Sequence, residues 1–124
     1  MRSLHFVTGL LNVIAFLVSG LYMRFYVNPD SLSPGLHLLY VSRHIYMLGP
    51  ALVHLVLSGY VQPKAGSRLQ WPATILLILS STLLASAFIF EAVKDHGRTE
   101  LSAFGIYTFA AGSLLYAIAG RFAR

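Results

Sequence analysis

Residues 36–60 read LHLLYVSRHIYMLGPALVHLVLSGY, from Leu36 to Tyr60. The run is long enough to cross a bilayer, which takes about 20 mostly apolar residues. It also carries Arg43 and the histidines His37, His44 and His54. At about 100° per residue, His37, Tyr40, Arg43, His44, Met47, Pro50, His54 and Ser58 fall within an arc of roughly 140°. Leu38, Val41, Ile45, Leu48, Leu52 and Val56 cover the opposite side. One face therefore suits lipid and the other suits protein or water. Pro50, behind Gly49, cannot donate to the carbonyl of Tyr46, so a kink is predicted there.

Working outward, Leu4 to Tyr26, Trp71 to Phe90 and Leu101 to Arg121 are apolar runs of comparable length. The breaks between the runs are turn-forming. Asn28-Pro29-Asp30 and Ser33-Pro34-Gly35 precede the second, with Ser33 as a candidate N-cap and Pro34 at the first helical position. Pro63 to Ser67 forms a short link, and Lys94 to Arg98 leads to a candidate N-cap at Thr99. Short links make successive helices antiparallel. The expected fold is all-α, a single domain over residues 1–124, forming an integral membrane, four-transmembrane-helix antiparallel bundle. Met1-Arg2 followed by an apolar run resembles the start of a signal peptide, but the run is too long for one and reads as a retained first helix.

Composition agrees. The chain is 56% hydrophobic and only 10% charged, with a mean hydropathy of +0.69, far from the norm for proteins dissolved in water. It has no cysteine, which excludes thiol nucleophiles, dithiol redox chemistry and iron–sulfur ligation by this chain. The net charge of +5 is not spread along a solvated basic face, so no nucleic-acid partner is expected. Sorted by side, Arg2, Lys64, Arg68, Arg121 and Arg124 share one end with no acid. Arg24, Arg43, Lys94 and Arg98 share the other with Asp30, Glu91, Asp95 and Glu100. The positive-inside rule places both termini in the cytoplasm, in a bacterial inner (plasma) membrane. Five bases against four is a narrow margin that leaves dual topology open.

Ionisable residues inside a span are candidate functional residues. By depth along the helices, Asn12, His54, Ser80 and Ser113 are expected to form one buried polar layer. An outer layer gathers Arg24, Arg43, His44, Tyr40 and Glu91, with Tyr22 and Tyr107 near the same level. Two arginines against one carboxylate invite an anion or a quinone-like carbonyl, or else Arg43–Glu91 is a structural pair and Arg24 reaches the headgroups. Met23, His37, His44 and Met47 are candidate copper ligands, since thioether and imidazole suit Cu(I). A b-type haem needs two axial ligands on facing helices. His5 is placed about 8 Å from the level of His54, so a pair within one chain is not expected. Gly9, Ser19-Gly20, Ser80-Ser81, Ala85, Ala110 to Gly112, Ala117 and Gly120 are expected helix contacts.

No nucleophilic triad, paired-carboxylate site or phosphate-cradling loop is present in the sequence. Short loops and the lack of a complete catalytic set point to a non-enzymatic accessory or interaction subunit, in a membrane complex or a homo-oligomer. The alternatives are a haem-, copper- or quinone-binding redox module using the outer Arg/His layer, and a small channel or transporter lined by the His37 to His54 face.

Overall fold

The computed structural model describes residues 1–60, 68–94 and 99–122, apart from the side chains of Pro29, Arg121 and Phe122. The link at 61–67, residues 95–98 and the last two residues fall outside this description, and with them Lys64, Asp95, Arg98 and Arg124 of the charge count above, as well as the side chain of Arg121.

Among the described residues the chain is all-helical, with four rods. Helix α1 spans Arg2–Tyr22 and runs on as a π-helical turn, Met23–Val27. It stops at Asn28, whose φ of 47° places it in the left-handed region. Asparagine tolerates that conformation better than most residues, and its amide closes onto the Met23 carbonyl at 3.1 Å. After a 3₁₀ turn at Pro29–Ser31, helix α2 spans Pro34–Tyr46 with Pro34 in its first turn. Ser33 occupies the cap position, but it is the Ser33 carbonyl that serves, accepting from the His37 amide at 2.9 Å, and the hydroxyl makes no cap bond.

The second rod is broken as Pro50 predicts. Helix α2 ends at Tyr46, the Met47 amide tightens onto the His44 carbonyl at 3.3 Å, and helix α3 takes over at Leu48–Tyr60. Each half has 13 residues, too few to cross a bilayer alone. Helix α4 spans Gln70–Ala87 and continues as a π-helical turn, Phe88–Lys94. Helix α5 spans Glu100–Phe122. Three rods, Arg2–Val27, Gln70–Lys94 and Glu100–Gly120, are long and apolar enough to cross a membrane.

α1 packs chiefly on α3 and α4 on α5. Contacts fix the directions: Arg2 Nε donates to the Ser58 carbonyl and Ser19 Oγ meets His44, so the first two rods are antiparallel. A Cβ on Gly112 would sit 3.1 Å from the backbone nitrogen of Leu77, and one on Gly9 3.1 Å from that of Leu55, so these glycines let neighbouring backbones close together. Ala110 and Ala117 are instead exposed, and Gly120 has nothing within 4 Å among the described residues. These expected contacts fail because Ser102, Gly105, Gly112 and Ala119 set the inward face of α5, and steps of five residues from Gly105 or Gly112 turn to the opposite side.

The apolar and polar faces of the second rod segregate. Tyr40, Arg43, Met47, Pro50 and His54 are buried, whereas Leu38, Ile45, Leu52 and Val56 are each more than half exposed.

Candidate functional site

At one end of the bundle each rod contributes a polar side chain to a shared centre. α1 supplies His5, α3 His54, α4 Thr74 and α5 Tyr116. His5, His54 and Thr74 are fully buried. The Nδ1 atoms of His5 and His54 lie 2.8 Å apart, with ring centroids 5.0 Å apart. Thr74 Oγ1 is 3.4 Å from His5 Nε2, and the Tyr116 ring stands edge-on to His5 at 5.6 Å.

A 2.8 Å separation leaves room for one proton between the two facing nitrogens, so one ring donates and the other accepts. If His5 donates, its Nε2 accepts from Thr74 and His54 carries a proton on Nε2. If His54 donates, His5 Nε2–H faces Thr74 and His54 Nε2 is a bare lone pair. In both arrangements His54 Nε2 has no partner within the described structure, and Tyr116 Oη and Ser113 Oγ are likewise buried and unpartnered. The Leu77 carbonyl interacts with the His54 ring, but it also accepts from the hydroxyls of Ser80 and Ser81, at 2.8 and 3.0 Å, and makes no close hydrogen bond to His54 Nε2. Buried polar atoms are rarely left unpaired, so His54 Nε2, and Tyr116 Oη on the ring beside His5, mark unspent bonding capacity at this centre.

This centre replaces the layer expected from depth. Asn12 donates to the carbonyl of Thr8 at 2.8 Å and Ser80 to that of Leu77, so both turn back on their own helices, and Ser113 has no partner. The 8 Å offset between His5 and His54 is corrected by register. Arg2 sits level with Ser58, not with Tyr60, which brings His5 and His54 to one height. A signal for His5 was present: buried His5, Gly9, Asn12, Ser19 and Met23 recur on one face of α1 at helical spacing.

At the other end, Arg43 and Glu91 are paired. Arg43 Nε donates to Glu91 Oε2 at 2.9 Å, with both side chains buried, and Nη1 donates to Ser42 Oγ at 3.1 Å. Glu91 Oε1 accepts the backbone amide of Ser102 at 2.9 Å. A carboxylate thus satisfies an orphan amide in the first turn of α5 and faces the positive end of its dipole. Thr99 holds the cap position through its carbonyl, which accepts from the Ala103 amide and the Ser102 hydroxyl.

The remaining outer residues do not converge on this pair. Arg24 is exposed, as is Tyr107 at 73%, while Tyr22 stacks on Tyr26. Tyr40 stands edge-on to Phe88 at 6.0 Å. Met23, Tyr40, Met47 and Phe88 belong to one apolar cluster, and His37 is half-buried. His44 is stacked on Phe16 at 4.1 Å, and its Nδ1 lies 2.9 Å from Ser19 Oγ. The Ser19 hydroxyl spends its proton on the Phe16 carbonyl, so His44 Nδ1 donates to Ser19 and its Nε2 holds a lone pair. Among the described residues no three His, Asp or Glu side chains group as metal ligands.

An apolar groove of about 380 Å³ separates α1 from the far end of α4, with Ser19, Tyr22, Met47 and Phe88 in its wall. Neither His5 nor His54 lines it. The class of protein defined so far is a helical bundle with three rods suited to a membrane and a buried imidazole centre. Comparison with protein families, curated proteins and solved structures gives no match, so the reading of this centre rests on its own geometry.

Proposed function

We propose that the chain lies in a bilayer as a four-span bundle and works there as a ligand-binding module, with His5 and His54 at its binding centre. Three rods support the membrane placement by length and apolarity, and the broken second rod adds a fourth span if α2 and α3 cross together. The distribution of basic residues supports termini on the cytoplasmic side of a bacterial inner membrane. The observation that carries the functional reading is the fully buried imidazole pair, in which His54 Nε2 makes no hydrogen bond and beside which stands Tyr116, whose hydroxyl is also without one among the described residues. Burying such groups is costly unless something completes their bonding.

The outer Arg43–Glu91 layer supports this role less well. Its charges and hydrogen bonds close on one another, as in a structural tie between rods. Protein purified from its native membrane in mild detergent and analysed for metals, visible absorption and extractable quinone tests the proposal. One ligand per chain, lost in His54→Gln, is expected. A wild-type preparation with no chromophore, metal or organic ligand near stoichiometry would sink it.

The accessory-subunit reading is favoured by a separate observation. The membrane-length window of α5 is only 17% buried, and Phe104, Tyr107 and Leu114 are each more than 60% exposed. That face suits lipid or a span of another chain. Native mass spectrometry separates the two: a larger complex or an oligomer supports a protein partner, and a monomer carrying only lipid opposes it.

A further inference from the structure

We infer that the His5–His54 pair is a proton relay, moving one proton between His54 Nε2, buried in the bundle, and the Thr74 hydroxyl near the bundle end. The relay deepens the ligand-binding reading, since it rests on the same centre and names the chemistry of the occupant beside His54. That occupant is a hydroxyl group, of water or of an organic molecule.

The two placements of the shared proton are the start and finish of one transfer. At the start His54 Nδ1–H donates to His5 Nδ1 across 2.8 Å, His5 Nε2–H faces Thr74 Oγ1 at 3.4 Å, and His54 Nε2 is bare. A proton arriving on His54 Nε2 sends the Nδ1 proton across to His5. His5 then gives its Nε2 proton to the Thr74 oxygen, which hands its own hydroxyl proton on towards the bundle end. At the finish His5 Nδ1–H donates to His54 Nδ1, and His5 Nε2 accepts from Thr74. One proton has entered, one has left, and both rings are neutral again.

Which nitrogen of a histidine carries the proton is set by what the other nitrogen bonds to. A carboxylate or carbonyl on Nε2 would therefore freeze the pair. Among the described residues no carboxylate joins the two histidines in a group, and the Leu77 carbonyl makes no close bond to His54 Nε2. On the other side the partner of His5 Nε2 is a hydroxyl, which accepts in one arrangement and donates in the other. Neither placement is locked.

The same logic selects the occupant beside His54. It must donate to a bare Nε2 at the start and accept from Nε2–H at the finish. A carbonyl only accepts and an ammonium only donates, so a hydroxyl is the group that serves both. Tyr116 Oη, buried without a partner among the described residues, is a group of the same dual kind on the ring beside His5.

Position and charge suit the role. His5 is three residues from Arg2 at the start of α1, and Thr74 four from Gln70 at the start of α4, so about 5–6 Å of helix separates the centre from the bundle end. The ionisable groups around the pair are the N-terminal amine and Arg2 of α1 and Tyr116 of α5. Arg2 is engaged by the Ser58 carbonyl, and α4 presents the neutral Thr74. The buried carboxylate of Glu91 is held by Arg43 at the opposite end.

Nitrogen NMR of the full chain with ¹⁵N-labelled histidine in lipid nanodiscs tests the relay, because protonated and bare ring nitrogens differ widely in chemical shift. In the wild type the nitrogens of His5 and His54 should interconvert between the two arrangements. Thr74→Val keeps the side-chain shape without the hydroxyl and should slow interconversion at least 100-fold, whereas Thr74→Ser should stay within threefold of wild type. A single fixed arrangement in the wild type, a readout that needs no variant to fold, would overturn the relay. Equal rates in wild type and Thr74→Val would overturn it too. Interconversion in chain stripped of co-purifying molecules assigns the hydroxyl to water, and interconversion only with the native extract retained assigns it to an organic molecule. Both support the relay. A native preparation free of any ligand sinks the ligand-binding reading and leaves a relay that works through water; a frozen pair in a preparation carrying a ligand sinks the relay alone.

Discussion

Glu91 makes two charge-assisted contacts, one to the Arg43 guanidinium and one to the Ser102 amide, and it does so while 1% exposed. Removing it strands a buried cation and an unsatisfied helix amide together. Glu91→Ala should therefore destabilise the bundle by about 3–5 kcal/mol, read as a shifted denaturation midpoint in mixed micelles. The double variant Arg43→Met with Glu91→Leu should recover most of that loss, because an apolar pair leaves no charge uncompensated. A double variant as unstable as Glu91→Ala alone would contradict this account of the pair. Arg43 and Glu91 could be matched from the sequence because few ionisable groups fall at that depth. His5 could not be matched to His54, because the relative height of two helices is set by packing that no single helix encodes.

At the level of the elements, the four apolar runs were legible because each is long and bounded by turn residues. The π-helical extensions at Met23–Val27 and Phe88–Lys94 were not, since such turns arise where packing re-aims side chains and they leave no mark in composition. The second extension places Glu91 beneath α5. The break in the second rod follows from Pro50, and Pro50→Ala would return a donor to the Tyr46 carbonyl. Amide exchange from Met47 to Ala51 should slow in that variant, and unchanged exchange would mean that packing alone holds the break. Close approach of helices makes a second prediction. Gly112→Val should cost about 1–3 kcal/mol, as overpacking does, because the backbone of Leu77 cannot retreat as a flexible side chain would. Gly120→Ala should be neutral, with nothing nearby among the described residues to meet the new methyl. Equal effects at the two positions in a denaturation series would refute this picture of the α4–α5 contact.

For the molecule as a whole, the two polar centres divide the labour. The Arg43–Glu91 tie joins the second, third and fourth rods at one end, and the imidazole centre draws on every rod at the other. The His5 end also holds the start of the chain and, through Tyr116, the last turns of α5. A chain without cysteine makes orientation simple to measure. Ser3→Cys and Ser33→Cys, both exposed, should be labelled by a membrane-impermeant maleimide from opposite sides, Ser3→Cys from the cytoplasmic face. Labelling of both from one side would contradict the antiparallel membrane arrangement. The contact between His5 and His54 bears most directly on the functional account. Nitrogen NMR of the full chain with ¹⁵N-labelled histidine, in metal-free lipid nanodiscs, should show a through-hydrogen-bond coupling between one nitrogen of each ring, abolished in His54→Gln. Two uncoupled imidazoles, each exchanging its protons with water, would contradict the buried centre on which the account depends.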